Sequence, residues 1–223
     1  MYNSDSVKDI IYKDYFRKHH QYAFAEKDIL NYRNWFYTQW NLINTKIKIR
    51  KEDEVLEIGS GLGGFYSFLQ ERVKKYVGIE LDKEAVKFAT NYFKSRSFFN
   101  TSIEKWGGSK FDCIFAFEVL EHLNNPLNAL KKIYSLLKVD GIFCGTSPFP
   151  YYKNIISDET HLFVLHPKNW EKLFLLSGFS QIELYPMSFF PFLWRINKKL
   201  NMIIPFYIPL SGFITTTLII AKK

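Results

Sequence analysis

The run Val55-Leu56-Glu57-Ile58-Gly59-Ser60-Gly61-Leu62-Gly63-Gly64 is followed, seventeen residues past Gly63, by Glu80. An apolar run that breaks into close-set glycines predicts a buried strand turning into a helix. Tyr76-Val77-Gly78-Ile79 predicts a second strand that ends in the acid. Glycines let a backbone approach a ligand closely and take positive φ without penalty. The N-terminus of the next helix adds N–H donors that have no partner inside the helix. A carboxylate at the end of the second strand is placed to accept both hydroxyls of a ribose. Together these predict the front half of a nucleoside-binding α/β fold.

The glycines alone do not choose a ligand. Gly59, Gly61 and Gly64 fit G-x-G-x-x-G, the dinucleotide fingerprint. Glu57, Gly59, Gly61 and Gly63 equally fit E-x-G-x-G-x-G, which resembles motif I of class I S-adenosylmethionine (SAM) methyltransferases. A glycine-rich strand-to-helix turn without a ligand is the third reading.

The rest of the chain favours the second. Residues Phe111 to Leu123, including Glu118-Val119-Leu120-Glu121-His122, resemble the fourth strand and following loop of those methyltransferases. Pro126 to Leu137 predicts a helix, and Leu137-Lys138-Val139-Asp140-Gly141 is similar to the family's turn into the fifth strand, with Val139 and Asp140 in place of its proline and glycine. Thr160-His161-Leu162-Phe163, the helix Pro167 to Leu176 and Ser177-Gly178-Phe179 resemble the stretch before the sixth strand. The resemblance covers Glu52 to Leu184. It implies a Rossmann-like doubly wound sheet, mostly parallel with an antiparallel last strand, plus N-terminal helices, and SAM as cofactor.

The resemblance also implies roles. Glu57 acts near the amino-acid end of SAM; Gly59, Ser60, Gly61 and Gly63 let main chain pass beneath it. Glu80 holds the ribose and Leu81 packs on the adenine. Ser102 and Ile103 stand near the base, with Ser102 where the family has an acid. Phe117 lines the pocket beside the methyl group. For the chemistry, His161 is the first candidate base, with His122 and Glu121 beside it, because a hydroxyl acceptor must lose a proton. E-x-x-E-H followed by a later histidine is also similar to the metal site of small-RNA 3′-end 2′-O-methyltransferases. Glu118, Glu121, His122 and His161 are therefore the alternative ligand set for Mg²⁺ or Mn²⁺; the alternative is that Glu and His merely hold the loop. His19, His20 and His166 follow no usable pattern, and His166 reads as structural before Pro167.

A chain of 223 residues with 47% hydrophobic residues suits one domain with a full core. We expect a helical cap over residues 1–50 and the methyltransferase domain over 51–223, with an aromatic insert at 185–212. Ile29, Tyr32, Trp35 or Phe36, Gln39 or Trp40, Ile43 and Ile47 recur at helical spacing and predict a packing helix. The N-terminus shows no apolar targeting block. Cys113 and Cys144 sit in apolar strand patterns as buried thiols, which suits a reducing cytoplasm. The net charge of +8 is spread over helix faces and reads as solvated surface, against nucleic acid. Leu200 to Ala221 carries no charge, but Pro205, Pro209, Gly212 and three threonines argue against a membrane span. Phe213 to Ala221 predicts the last strand instead. The insert before it, basic at Arg195, Lys198 and Lys199, is expected beside the substrate mouth, where it could touch a membrane surface or a partner chain.

The expectation is therefore a cytoplasmic SAM-dependent O-methyltransferase for a small-molecule hydroxyl, on a sugar or glycan precursor or a lipid- or quinone-like acceptor. RNA 2′-O-methylation, N-methylation and a non-catalytic SAM-binding partner subunit are the alternatives.

Overall fold

Strands buried on both faces read as near-continuous apolar runs, and three stretches of this chain have that character apart from a few charged positions. They form β1 (Glu54–Ile58), β2 (Lys75–Glu80) and β4 (Phe111–Phe117) at the middle of an eight-stranded sheet. The computed structural model describes residues 15–20, 23–150, 159–189, 197, 202–208, 210 and 213–223. The other strands are β3 (Phe98–Asn100), β5 (Leu137–Pro148), β6 (Gln181–Phe189), β7 (Ile203–Ile204) and β8 (Ile214–Lys222). Their order is β3-β2-β1-β4-β5-β8-β6-β7. The first five run parallel; β8 inserts antiparallel between β5 and β6. β1 pairs on one side with β2 (Glu57 opposite Gly78) and on the other with β4 (Glu57 opposite Phe115). The order of the strands therefore reverses between β1 and β4, and a crevice opens beyond their carboxyl ends.

Successive residues of β4 serve two cores. Ile114 and Ala116 pack with Ala129, Leu130, Trp170 and Phe174 on one face. Cys113, Phe115 and Phe117 pack with Phe36, Phe65 and Phe68 on the other. Both cysteines are buried there, and burial pushes the Cys113 thiol up to about 12. Helices α5 (Pro126–Leu136) and α6 (Pro167–Leu176) cover the first face. Each starts with proline after a capping side chain: Asn125 Oδ1 accepts from Asn128 N–H, and His166 Nδ1 accepts from Lys168 N–H. His166 is thus a helix cap. Near the start of β5, Asp140 sits at φ 59°; Asp is among the few side chains that tolerate this region.

On the second face lie the six-residue helix α1 (Tyr15–His20), the long α2 (Glu26–Lys46) and the short α3 (Gly64–Leu69); α4 (Lys83–Phe93) follows β2. Asp28 opens α2 by accepting from the Ala25 N–H at 3.0 Å. Ile29, Phe36, Gln39, Ile43 and Ile47 are buried along one stripe, whereas Tyr32, Trp35 and Trp40 are partly buried. Phe36 and Trp40 meet Phe65 and Phe68 with ring centroids 4.8 and 4.9 Å apart. Residues 1–14 and 21–22 of the expected cap lie outside the described residues. β6 continues to Phe189, so the first residues of the expected aromatic insert belong to the sheet. β8 begins at Ile214, and among the described residues no helix is long and apolar enough to cross a membrane.

The contact of α2 with α3 has no spare room. A Cβ on Gly64 would stand 2.3 Å from Tyr32 Cβ and 3.2 Å from Arg33 N. Gly64→Ala should therefore push α2 outward and cost about 1–3 kcal/mol. That cost is read as a fall in melting temperature; an unchanged melting temperature would mean α2 is not seated as described.

Candidate functional site

The loops after β1, β2, β3 and β4 meet at the crevice and enclose a cavity of about 500 Å³. That is within the range of small-molecule sites. Its floor is Glu57, Gly59 and Ser60; its sides are Glu80 and Leu81, then Thr101 to Glu104, then Phe117 to Asn124. Tyr15, Phe16, Tyr32, Trp35 and Phe36 cover it from the N-terminal helices, and Ile214 and His161 close the far side.

The β1 and β4 loops touch because Gly59 has no side chain. At φ 73°, its Cβ would fall 2.5 Å from Val119 Cγ2. Gly61, also at positive φ, lies under the ring of Phe16, and its N–H is taken by Glu80 Oε2 at 3.0 Å. Gly63 is not part of the cavity wall. It caps α3 at φ 81° and leaves space for Phe93 and Phe98. Gly64, at the helix N-terminus expected to serve the ligand, packs on Tyr32. Only Gly59 and Ser60 of the glycine run face the cavity. Ser60 is buried there and its hydroxyl has no hydrogen-bond partner among the described residues.

Glu80 ends β2 and is held by three backbone donors: Gly61 N–H, Leu81 N–H at 2.7 Å and Asp82 N–H at 3.0 Å. Burial pushes its carboxyl up and these donors pull it back. Leu81 is partly exposed along the wall, and its carbonyl is fixed by Asn100 Nδ2 at 2.8 Å, an anchor that the sequence reading missed. Asn100 also donates to Glu80 O. Ser102 lines the cavity and its hydroxyl accepts weakly from Lys105 N–H at 3.4 Å, while Ile103 is buried behind it.

Glu57 is buried and accepts a hydrogen bond from the Tyr76 hydroxyl. Desolvation raises its carboxyl to about 8 against the bond from Tyr76. It is therefore mostly neutral at pH 7 in the empty cavity, and a cation arriving there favours its ionised form.

At the other end, Leu120–His122 form a single 3₁₀ turn after Glu118, which sits at φ 52°. Burial raises the Glu118 carboxyl, opposed by hydrogen bonds from Thr146 and Thr216 and by the charge of His161. Thr216 Oγ1 donates to it at 2.9 Å. The carbonyl of Glu121 accepts from Leu162 N–H and Phe163 N–H at 2.8 and 2.9 Å, which ties the His161 loop to the turn. His122 Nδ1 lies 2.9 Å from Thr160 O. A carbonyl only accepts, so Nδ1 carries the proton, and Nε2 lies 3.9 Å from Glu121 Oε1. The rings of His122 and His161 are 4.8 Å apart, and ligand atoms of Glu121, His122 and His161 all lie within 4.8 Å of one another. Glu118, the fourth member of the alternative metal set, lines the cavity but is not in this cluster. Phe117 stands at the same wall, its ring 4.9 Å from Phe36.

A sequence-family model described as "Methyltransferase domain" matches residues 36–184. The chain belongs to this family. The methyltransferase is 29% identical over 105 residues to the ribosomal RNA small subunit methyltransferase A of Malacoplasma penetrans, covering 44% of this chain and 38% of that one. It is 31% identical over 115 residues to a tRNA U34 carboxymethyltransferase of Helicobacter pylori, covering 46% and 43%. The matches thus span about two fifths of these curated relatives. A SAM-dependent methyltransferase structure from Archaeoglobus fulgidus shares the fold at 19% identity and a TM-score of 0.63, covering 86% of this chain and 94% of that one.

The residues present fit SAM. Glu80 is preset by three N–H donors to receive a diol, the orphaned Ser60 hydroxyl faces the cavity, and Glu57 is poised to ionise beside a cation. Two predictions follow from these carboxylates. Glu80→Gln keeps the size of the side chain and should weaken SAM binding about 10- to 100-fold by calorimetry; undiminished affinity would remove Glu80 from the site. Glu57 binds its proton more tightly folded (about 8) than its ordinary value of 4.5. The folded state therefore loses stability as pH rises from about 4.5 to 8, by roughly 3 kcal/mol at pH 7. Glu57→Gln should raise the melting temperature at pH 8 more than at pH 5 while lowering SAM affinity. An equal shift at both pH values would contradict the neutral carboxyl.

Proposed function

We propose that this methyltransferase transfers the methyl of SAM to a hydroxyl group of a small molecule. The observation that carries it is the grouping of Glu121, His122 and His161 at the cavity end away from Glu80. An alcohol must lose its proton as it is methylated, and a neutral amine need not.

When bound, SAM supplies a methyl group already activated on a sulfonium, so the protein's work is alignment and proton removal. Gly59 and Ser60 carry the donor from below, and Glu80 fixes the end away from the reaction. Phe36 and Phe117 wall the space where an acceptor enters. His161 takes the acceptor's proton. His122, with Nδ1–H committed to Thr160 O, presents Nε2 to the same space, and buried Glu121 stabilises the positive charge the imidazoles gain. The same three side chains could hold a divalent cation that acidifies the hydroxyl instead.

A nucleic-acid acceptor is the second reading, favoured by the RNA-modifying activities named for the two curated relatives. Against it, the described lining of the cavity has five glutamates and no lysine or arginine. Phosphates would meet no cation there.

His161→Ala should leave SAM affinity within about twofold and lower kcat by about 100-fold or more. An unchanged rate would remove His161 as base. Activity lost to a chelator and restored by Mg²⁺ or Mn²⁺ would assign the cluster to metal; indifference to chelator would assign it to proton transfer alone.

A further inference from the structure

The chain between Phe189 and Ile214 contributes a segment whose outward side is apolar by construction. Residues 202–208 are fastened to the sheet. β7 pairs with Ser188 and Phe189 of β6; Ser188 Oγ donates to Phe206 O at 2.7 Å and accepts from Ile208 N–H at 2.9 Å. Thr215 Oγ1 donates to Ile208 O at 3.0 Å. Tyr207 turns inward, stacked on Phe149 with centroids 4.0 Å apart and hydrogen-bonded to Thr217. Beside it Phe206 turns outward, 68% exposed, and along the same segment Leu210 is 60% and Met202 55% exposed. Exposure of three large apolar side chains on a loop held this firmly is a surface the fold maintains, and such patches mark interaction sites.

The patch lies at the same end of the molecule as the cavity. β6 and β5 are both antiparallel to β8, so the carboxyl end of β6 points the same way as those of the parallel strands. Ile214, opposite Phe189 in the sheet, is 37% exposed and also lines the cavity, while Phe189 pairs on its other side with Ile203 of the same segment. The charge of this part of the chain has one sign. From Leu184 to Ala221 the sequence contains Arg195, Lys198 and Lys199 and no acid; those three cations lie outside the described residues. A stretch of sequence that joins exposed apolar side chains to three cations and no acid matches the two contributions that hold a protein on an anionic bilayer, insertion and headgroup attraction.

We infer that Met202, Phe206 and Leu210 form a peripheral docking surface for an anionic lipid bilayer, set so that the cavity opens toward the membrane. The inference is independent of which group is methylated. An acceptor that resides in the bilayer would reach the cavity past Ile214 without crossing water.

The test is co-sedimentation of the full chain with phosphatidylcholine vesicles containing a quarter phosphatidylglycerol, beside the variant Met202→Ser/Phe206→Ser/Leu210→Ser. Wild type should bind these vesicles, weaken in high salt, and bind at least tenfold more strongly than the variant. Circular dichroism melting of the variant should match wild type, because the three side chains are exposed. Absence of wild-type binding, or equal binding by a folded variant, overturns the inference. So does a wild type that ignores vesicles and sediments as a dimer which the variant abolishes, since a second copy of the chain would then occupy the patch. Smaller changes, Phe206→Ser alone and Leu210→Ser alone, repeat the comparison if the triple variant melts early.

Discussion

The site depends on the approach of two backbones at Gly59. With no Cβ there, the loop after β1 can lie against Val119 of the loop after β4. The donor side of the cavity and its acceptor side are the two loops so joined. A side chain at position 59 would push apart the floor, which carries Ser60, and the turn, which carries Glu121 and His122. The parallel pairing of β1 with β4 brings the loops close, and the glycine decides how close.

Much of this was legible in the sequence because it is local. The apolar runs predict the strands, the glycines predict the break after β1, and Glu80 falls at the strand end by simple counting. Prolines at 126 and 167 mark two helix starts. The placements that differ are tertiary. Gly63 resembles a ligand-facing glycine by spacing, yet Phe93 and Phe98 claim the space beside it. Asn100 is unremarkable in sequence, and only the pairing of β3 with β2 brings its amide to Glu80 O and Leu81 O. Ile214 reaches the cavity because β8 is inserted beside β5, and no spacing rule announces a residue so far along the chain. The tie between His122 and Thr160 O depends on a long loop returning to the turn.

The cavity and the outside of the protein carry opposite electrostatic characters. A chain of net charge +8 surrounds a described cavity lining with five glutamates and no fixed cation. Glu57 shows what this costs: its proton is retained toward pH 8, because a bare carboxylate there has only Tyr76 to replace water. A sulfonium ligand with an ammonium group meets an environment short of positive charge, and the raised Glu57 carboxyl costs the folded state stability as pH rises.

Helix α1 touches both halves of the cavity. The Phe16 ring covers Gly61, Phe16 N–H reaches Asp82 Oδ2, and Arg17 pairs with Glu84; Tyr15 meets the ring of His122 edge-on. One short segment therefore rests on the glycine loop, on the start of α4 and on the turn of Glu121 and His122 at once. Its detachment would unroof both together, so loading of fresh donor and escape of the methylated product would share a single kinetic barrier. Turnover would then be paced by the short segment that carries Tyr15, Phe16 and Arg17.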